Sequence, residues 1–300
     1  MKQLFTRILM IALLAALSPA VVHAQATRTW VSGVGDDANP CSRTAPGKTF
    51  AGAISKTAAG GEIDCLDPGG FGAVTLTKSI TLDGGGGQVA SILVAGTNGI
   101  NINAGPSDVI IIRNLRLQGL GPGALNQGLS GINIIQAGTV VIQNCEIDNF
   151  SVDGVHVDTS TACNVSLTST RLVNCSNDGL FIHSTSSVQT VVTNCEADKC
   201  HDGFEVRTGV AAITNTVASN GGTGFIADMG GAISLSRCVT SGNTTGLDAE
   251  LTSGIVMNDC DIISNSTGIL IGGGHVKSTG NNRNVGNTTP GTISGPQALQ

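Results

Sequence analysis

In a chain whose charged residues make up only 12% of the total, the ionisable side chains are concentrated in one place. Aligning the sequence on a glycine followed by an apolar-x-apolar stretch puts Asn101, Asn133, His156, Phe181, Glu205, Ile226, Asp248 and Leu270 in one column. Two residues further on, a second column holds Asn103, Ile135, Asp158, His183, Arg207, Asp228, Glu250 and Gly272. The middle of this stripe carries two histidines, five carboxylates and one guanidinium, while its ends carry asparagine and aliphatic residues. Such a set can do acid–base chemistry. Asp158, one unit from His183, would orient the imidazole or raise its pKa, and Arg207 would pair with Asp228. If neighbouring units are strands, Asp228 and Glu250 lie about 5 Å apart, and Asp248 and Glu250 about 7 Å. Carboxyl pairs about 5 to 5.5 Å apart serve retaining glycosidases, and pairs about 6.5 to 9.5 Å apart serve inverting ones. The other chemistry is β-elimination from an acidic sugar, with Arg207 or His183 as base near carboxylates that bind a cation. A further column, Asp153, Asp178 and Asp202, precedes three of the glycines; it suits a cation between units, but Asp-Gly turns are the expectation. The competing account of the whole stripe is a solvent-facing ladder in which opposite charges on adjacent strands pair without catalysis.

The aligning glycines are Gly99, Gly131, Gly154, Gly179, Gly203, Gly224, Gly246 and Gly268, at intervals of 32, 23, 25, 24, 21, 22 and 22. Repeats of this length mean a solenoid, in which no unit buries its apolar face without its neighbours. Gly154-Val155-His156-Val157-Asp158 and Gly203-Phe204-Glu205-Val206-Arg207 alternate with period two, so the units contain half-buried strands. A helical stripe between them and a recurring Leu-x-x-Leu-x-Leu skeleton are both missing, which excludes leucine-rich repeats. The expected fold is all-β: a right-handed parallel β-helix with coils of about 22 residues and strands about 4.8 Å apart. The glycines would permit positive φ or close approach of the chain. Cys145, Cys175, Cys195, Cys238 and Cys260, with Thr216, end similar apolar-x-polar segments and are expected to stack as one column of small core residues. Cys41 and Cys65, outside that column, are the disulfide candidates, and Cys195-x4-Cys200-His201 is a weak approach to zinc-ligand spacing.

Forty-two glycines in 300 residues are about twice ordinary usage, and tyrosine is missing altogether. A net charge of −6 with scattered basic residues excludes a nucleic-acid partner and an anionic membrane surface. Lys2 and Arg7, the apolar run Ile8 to Leu17, and the small residues around Ala24 form the pattern of a cleaved secretory signal. The expectation is therefore a secreted or periplasmic chain with no integral membrane segment after cleavage. Apolar residues at helical spacing in Thr49 to Lys56, stopped by Gly60-Gly61, predict a short capping helix. The division expected is 1–24 signal peptide, 25–48 N-terminal segment, 49–285 β-helix and 286–300 a C-terminal tail that frays.

Phe50-x3-Ile54, Gly61-Glu62-Ile63, Asp67-Pro68-Gly69-Gly70-Phe71 and Lys78-Ser79-Ile80-Thr81-Leu82-Asp83-Gly84 resemble the cap and opening coils of right-handed β-helix proteins of the pectin lyase-like superfamily. The likeness spans roughly residues 45 to 285 and extends to exported members of unknown function. It implies a substrate groove along one strand-lined face. No segment matches the motif series of pectin methylesterases or polygalacturonases, or the calcium-binding acids beside a basic residue of pectate lyases, so no catalytic residue is carried over. Cofactor and metal are left open. The function expected is polysaccharide-directed, as binder, lyase or hydrolase, along His156, Asp158, His183, Glu205, Arg207, Asp228, Asp248 and Glu250. The alternative is a non-catalytic surface or extracellular structural or adhesion protein.

Overall fold

The computed structural model describes residues 25–87, 89–121 and 123–297. The signal-like segment 1–24 lies outside them. Among the described residues the chain winds through three parallel sheets: a long one of twelve strands, a glycine-led one of nine and a third of ten. One coil runs through Val155–Thr159 in the glycine-led sheet, Cys163–Thr168 in the long sheet and Arg171–Val173 in the third, then enters the next coil at Asp178–Ser184. Alternation does the sorting: Val155 and Val157 are fully buried, while Asp158 on the same strand is exposed. Stacked valine, isoleucine and leucine side chains fill the coil from Ile63 to Val276. The right-handed parallel β-helix is thus the fold expected, with coils near 22 residues.

Helix Phe50–Ile54 is the capping element, and the Thr49 hydroxyl at its N-cap accepts from the Gly52 amide. Phe50 packs on Phe71 at 5.4 Å between ring centres, closing the start of the core. Residues ahead of the helix take part in the winding: Ala26–Val31 pairs with Thr57–Cys65 as the first strand of the long sheet. Its free edge is covered by the loop around Cys41 to Gly47, through Trp30 N–H to Cys41 O and Gly47 N–H to Trp30 O, which removes an open template for pairing. At the other end the described residues, as far as 297, continue the winding. Thr288 and Thr289 donate to Asn265 O and Ser266 O, and Gly295–Pro296 pairs with Lys277 and Ser278, so the tail continues the winding. No helix among the described residues is long and apolar enough to cross a membrane.

Two corners explain the asparagines and correct the cysteine column. Asn144, Ser169, Asn194, Asn215, Arg237 and Asp259 adopt positive φ between the long and third sheets, and Asn149, Asn174, Lys199 and Asn220 do so after the third sheet. Asparagine tolerates this conformation better than other side chains. Cys145, Thr170, Cys195, Thr216, Cys238 and Cys260 follow the first corner, but Cys175 follows the second, with Phe150 and Cys200. The sequence motif misled because both corners turn through a left-handed residue followed by an inward one. Cys175 is 30 residues after Cys145 and 20 before Cys195, whereas Thr170 is 25 from each. Further along the second corner asparagines stack: the Asn243 amide donates to Asn265 Oδ1 at 3.0 Å, and the Asn265 amide to Asn287 Oδ1 at 2.7 Å.

All nine cysteines are buried and none is joined to another, so the expected disulfide between Cys41 and Cys65 is not formed. Cys195 and Cys200 sit at different corners and do not converge as ligands. Burial pushes the Cys145 thiol up to about 12 and Cys163 to about 11, so neither is a thiolate at neutral pH. Titration of the denatured protein under non-reducing conditions is expected to find nine sulfhydryls; a count of seven or fewer would put a disulfide where the fold has none.

Candidate functional site

The glycine-led sheet holds the register read from the sequence. Asn133 stands between Asn101 and His156, His156 beside Phe181, Phe181 beside Glu205, Glu205 beside Ile226, Ile226 beside Asp248 and Asp248 beside Leu270. In the second column Asp158 lies opposite His183 and Glu250 opposite Gly272. Ile135 leaves the column, because a bulge pairs Gln136 with Asn103. Arg207 and Asp228 fall just past their strands, with their amides still donating to Ile182 O and Val206 O of the preceding coil. What fixes the register is the glycine line. None of the eight aligning glycines has positive φ; instead each packs against the next coil, and a Cβ at Gly154 would stand 2.7 Å from Gly179 O.

The stripe is not a uniform solvent-facing ladder. Glu205 is 5% and Asp248 7% exposed, and beside them Asp153, Asp178 and Asp202 are buried as well. Those aspartates were expected to make turns, yet Asp178 and Asp202 are extended and open their strands. Asp153 Oδ1 accepts from the Asp178 amide at 3.0 Å and Asp202 Oδ1 from the Thr223 amide at 3.1 Å, so each ties its coil to the next. Asp178, Asp202 and Glu205 each bring one carboxylate oxygen within 4.8 Å of the others. Burial pushes the Asp178 carboxyl up to about 10, helped by its hydrogen bond with Glu205 and by the charges of Glu205, Asp153 and Asp202. Asp248 rises to about 6 through burial and the charges of Glu250, Asp202 and Asp228, and its Oδ1 is buried with no hydrogen-bond partner.

The basic groups sit around this cluster. Arg207 Nε donates to Glu205 Oε1 at 2.6 Å, and not to Asp228 in the next coil as the sequence suggested. That hydrogen bond raises the guanidinium pKa further, which leaves Arg207 a fixed cation and a poor base. Its guanidinium also lies 5.0 Å over Phe181, whose ring stacks on His156 at 4.9 Å. Phe181 therefore offers no open face for a sugar. His156 Nδ1 meets Asp153 Oδ2 at 2.6 Å, and His183 Nδ1 meets Asp158 Oδ1 at 3.0 Å. Each pair directs the other ring nitrogen away from its carboxylate. The aspartate column was the part of the site that sequence reasoning undervalued. Its signal was positional: three aspartates immediately before aligned glycines, where later coils carry Thr223, Thr245 and Thr267.

Asp248 gives a pH dependence whose sign follows from its shift. Its folded-state value of about 6 exceeds the ordinary 3.8, so the folded state holds the proton more tightly, and stability falls as pH rises from about 4 through about 6. Asp248→Asn is expected to raise stability at pH 8 by about 2 kcal/mol and to flatten the slope between pH 4 and 7. Urea denaturation of both proteins at pH 5 and pH 8 measures this; an unchanged slope in the variant would show that Asp248 titrates normally.

Residues 74–214 match the family described as right handed beta helix region. Among solved structures the fold is similar to that of pectate lyase Pel9A, with a TM-score of 0.64 and 15% identity over 92% of this chain and 79% of that one. It is also similar to a rhamnogalacturonan lyase, with a TM-score of 0.52 and 13% identity over 78% of this chain and 74% of that one. No curated protein matches the chain in sequence. The family match, the coil length and the likeness to these structures together define the fold as a right-handed parallel β-helix.

Proposed function

We propose that the protein acts on an acidic polysaccharide by cation-assisted β-elimination at the buried acid cluster of the glycine-led sheet. The observation that carries this reading is the convergence of Asp178, Asp202 and Glu205 within 4.8 Å while all three are buried. Carboxylates that close cannot all ionise in a low-dielectric site unless a counter-charge joins them. Oxygen-only donors of this kind suit a hard divalent cation, and the orphaned Asp248 Oδ1 nearby is a further acceptor without a partner. When bound, a cation there would neutralise the cluster and hold the carboxylate of a uronate, making its α-proton more acidic. Arg207 fixes Glu205 in place. His183, oriented by Asp158, is the group left to take the proton. It is a diagonal neighbour of Glu205, one coil back and two residues on, a separation of roughly 7 to 8 Å that leaves room for a sugar ring between. The proton leaves the carbon next to the carboxylate, and the glycosidic oxygen on the following carbon departs, giving an unsaturated end.

Two proteins with this fold are named for acting on pectate and rhamnogalacturonan, which supports an acidic glycan as substrate. The basic, apolar and small-residue pattern of residues 1–24 supports export to where such polymers occur. The test is incubation with polygalacturonate, rhamnogalacturonan and neutral galactan, with calcium or with a chelator, reading unsaturated ends. Unsaturated product from an acidic polymer, lost on chelation, is the expected result. Reducing ends without unsaturation would instead make the site a hydrolase, and no product from any polymer would overturn the catalytic reading.

A further inference from the structure

We infer that the protein has a second glycan-binding subsite at Trp30, on the long sheet at the start of the coil and away from the acid cluster. Trp30 is the only tryptophan of the chain, and tyrosine is missing. Among the described residues, five phenylalanines, Phe50, Phe71, Phe150, Phe204 and Phe225, are fully buried, and Phe181 is covered by His156 and Arg207. Trp30 is different: it is partly exposed and lines two adjoining cavities of about 450 and 710 Å³. A partly exposed indole between a mainly polar and a mainly apolar cavity can receive the C–H face of a sugar while the polar groups on one side fix its hydroxyls.

The surroundings supply those groups. Arg28 lines both cavities and is held by Asp64 at 2.8 Å and Glu62 at 3.2 Å. Asp64 and Asp83 line the smaller cavity, and Asp83 is itself fixed by Arg113 at 2.8 Å and Asn114 at 2.8 Å. Side chains locked in this way meet a ligand without losing further freedom. Arg43 is the exception. It is exposed, lines the same cavity and makes no ion pair among the described residues. A free guanidinium beside an aromatic platform suits a carboxylate, so the ring assigned to this subsite is a uronate. The preference for a uronate over a neutral sugar rests in part on the proposed function; the Trp30 platform does not.

Because Trp30 is the sole tryptophan, the fluorescence of the folded protein reports on this subsite alone. Titration with galacturonate oligosaccharides is expected to give a saturable change in emission. That change should persist in the Asp178→Asn, Glu205→Gln double variant, which disables the acid cluster. In Arg43→Ala, which keeps the fluorophore, affinity should fall about tenfold, the loss of one charge-assisted contact. Neutral galactan oligosaccharides should bind more weakly than the acidic ones. Equal affinity for both would overturn the role of Arg43. A flat emission with every oligosaccharide would overturn the subsite. If the acid cluster still yields product in that case, the proposed function stands without it.

Discussion

Gly203→Ala is expected to destabilise the protein by about 3 kcal/mol or more, a large effect for one methyl group. The added Cβ would stand 2.5 Å from Gly224 O and 3.0 Å from the Ala218 side chain, so one coil would have to move away from the next. The displaced atoms are backbone, and the strands on either side are locked by ladders in all three sheets. Relief by a side-chain rotation is therefore not available. Gly86→Ala is the control: its Cβ would meet nothing within 4 Å, and the expected change lies within about 0.5 kcal/mol. Urea denaturation distinguishes the two. Equal midpoints would mean that the glycine line does not set the spacing of the coils, and with it the placement of Glu205 beside Asp178 and Asp202.

The second large effect is a split between stability and function. Asp178→Asn with Glu205→Gln keeps the shapes of both side chains, replaces a carboxyl that is pushed up to about 10 and so already protonated, and removes the charge of Glu205 beside it. Without a cation, the variant is expected to be at least as stable as the parent at pH 8, because like charges no longer crowd a buried site. Calcium binding and unsaturated product should both fall by at least about a hundredfold, since even outer partners of a metal site are worth 10- to 100-fold. Calorimetric titration with calcium and the polymer assay read the two losses separately. A variant that loses stability and retains product would identify the cluster as a structural staple.

Much of this is legible in the amino-acid sequence. The aligned glycines carried the register because a close contact repeated in every coil leaves one residue type allowed at each position. Hence His156, Phe181, Glu205, Ile226 and Asp248 were correctly placed in one row across successive coils. Depth was not legible. Period two says which face a side chain leaves from, but not that Glu205 and Asp248 lie down into the sheet while Asp158 stands out in solvent. The partner of Arg207 was missed for a similar reason: a long side chain can reach along its own strand to Glu205 as readily as across to Asp228. Cys175 shows the limit of motif matching in a solenoid, where two corners of one coil obey the same steric rule and so carry the same local sequence.

The central claim is that two neighbouring coils bring Asp178, Asp202 and Glu205 together to hold a cation against an acidic sugar. A crystal structure grown with calcium and a galacturonate oligosaccharide tests it most directly. Density for an ion bound by those three carboxylates and by the carboxylate of a sugar ring beside His183 is the predicted result. Density showing the carboxyl groups bonded only to one another, with the sugar elsewhere or absent, would contradict it.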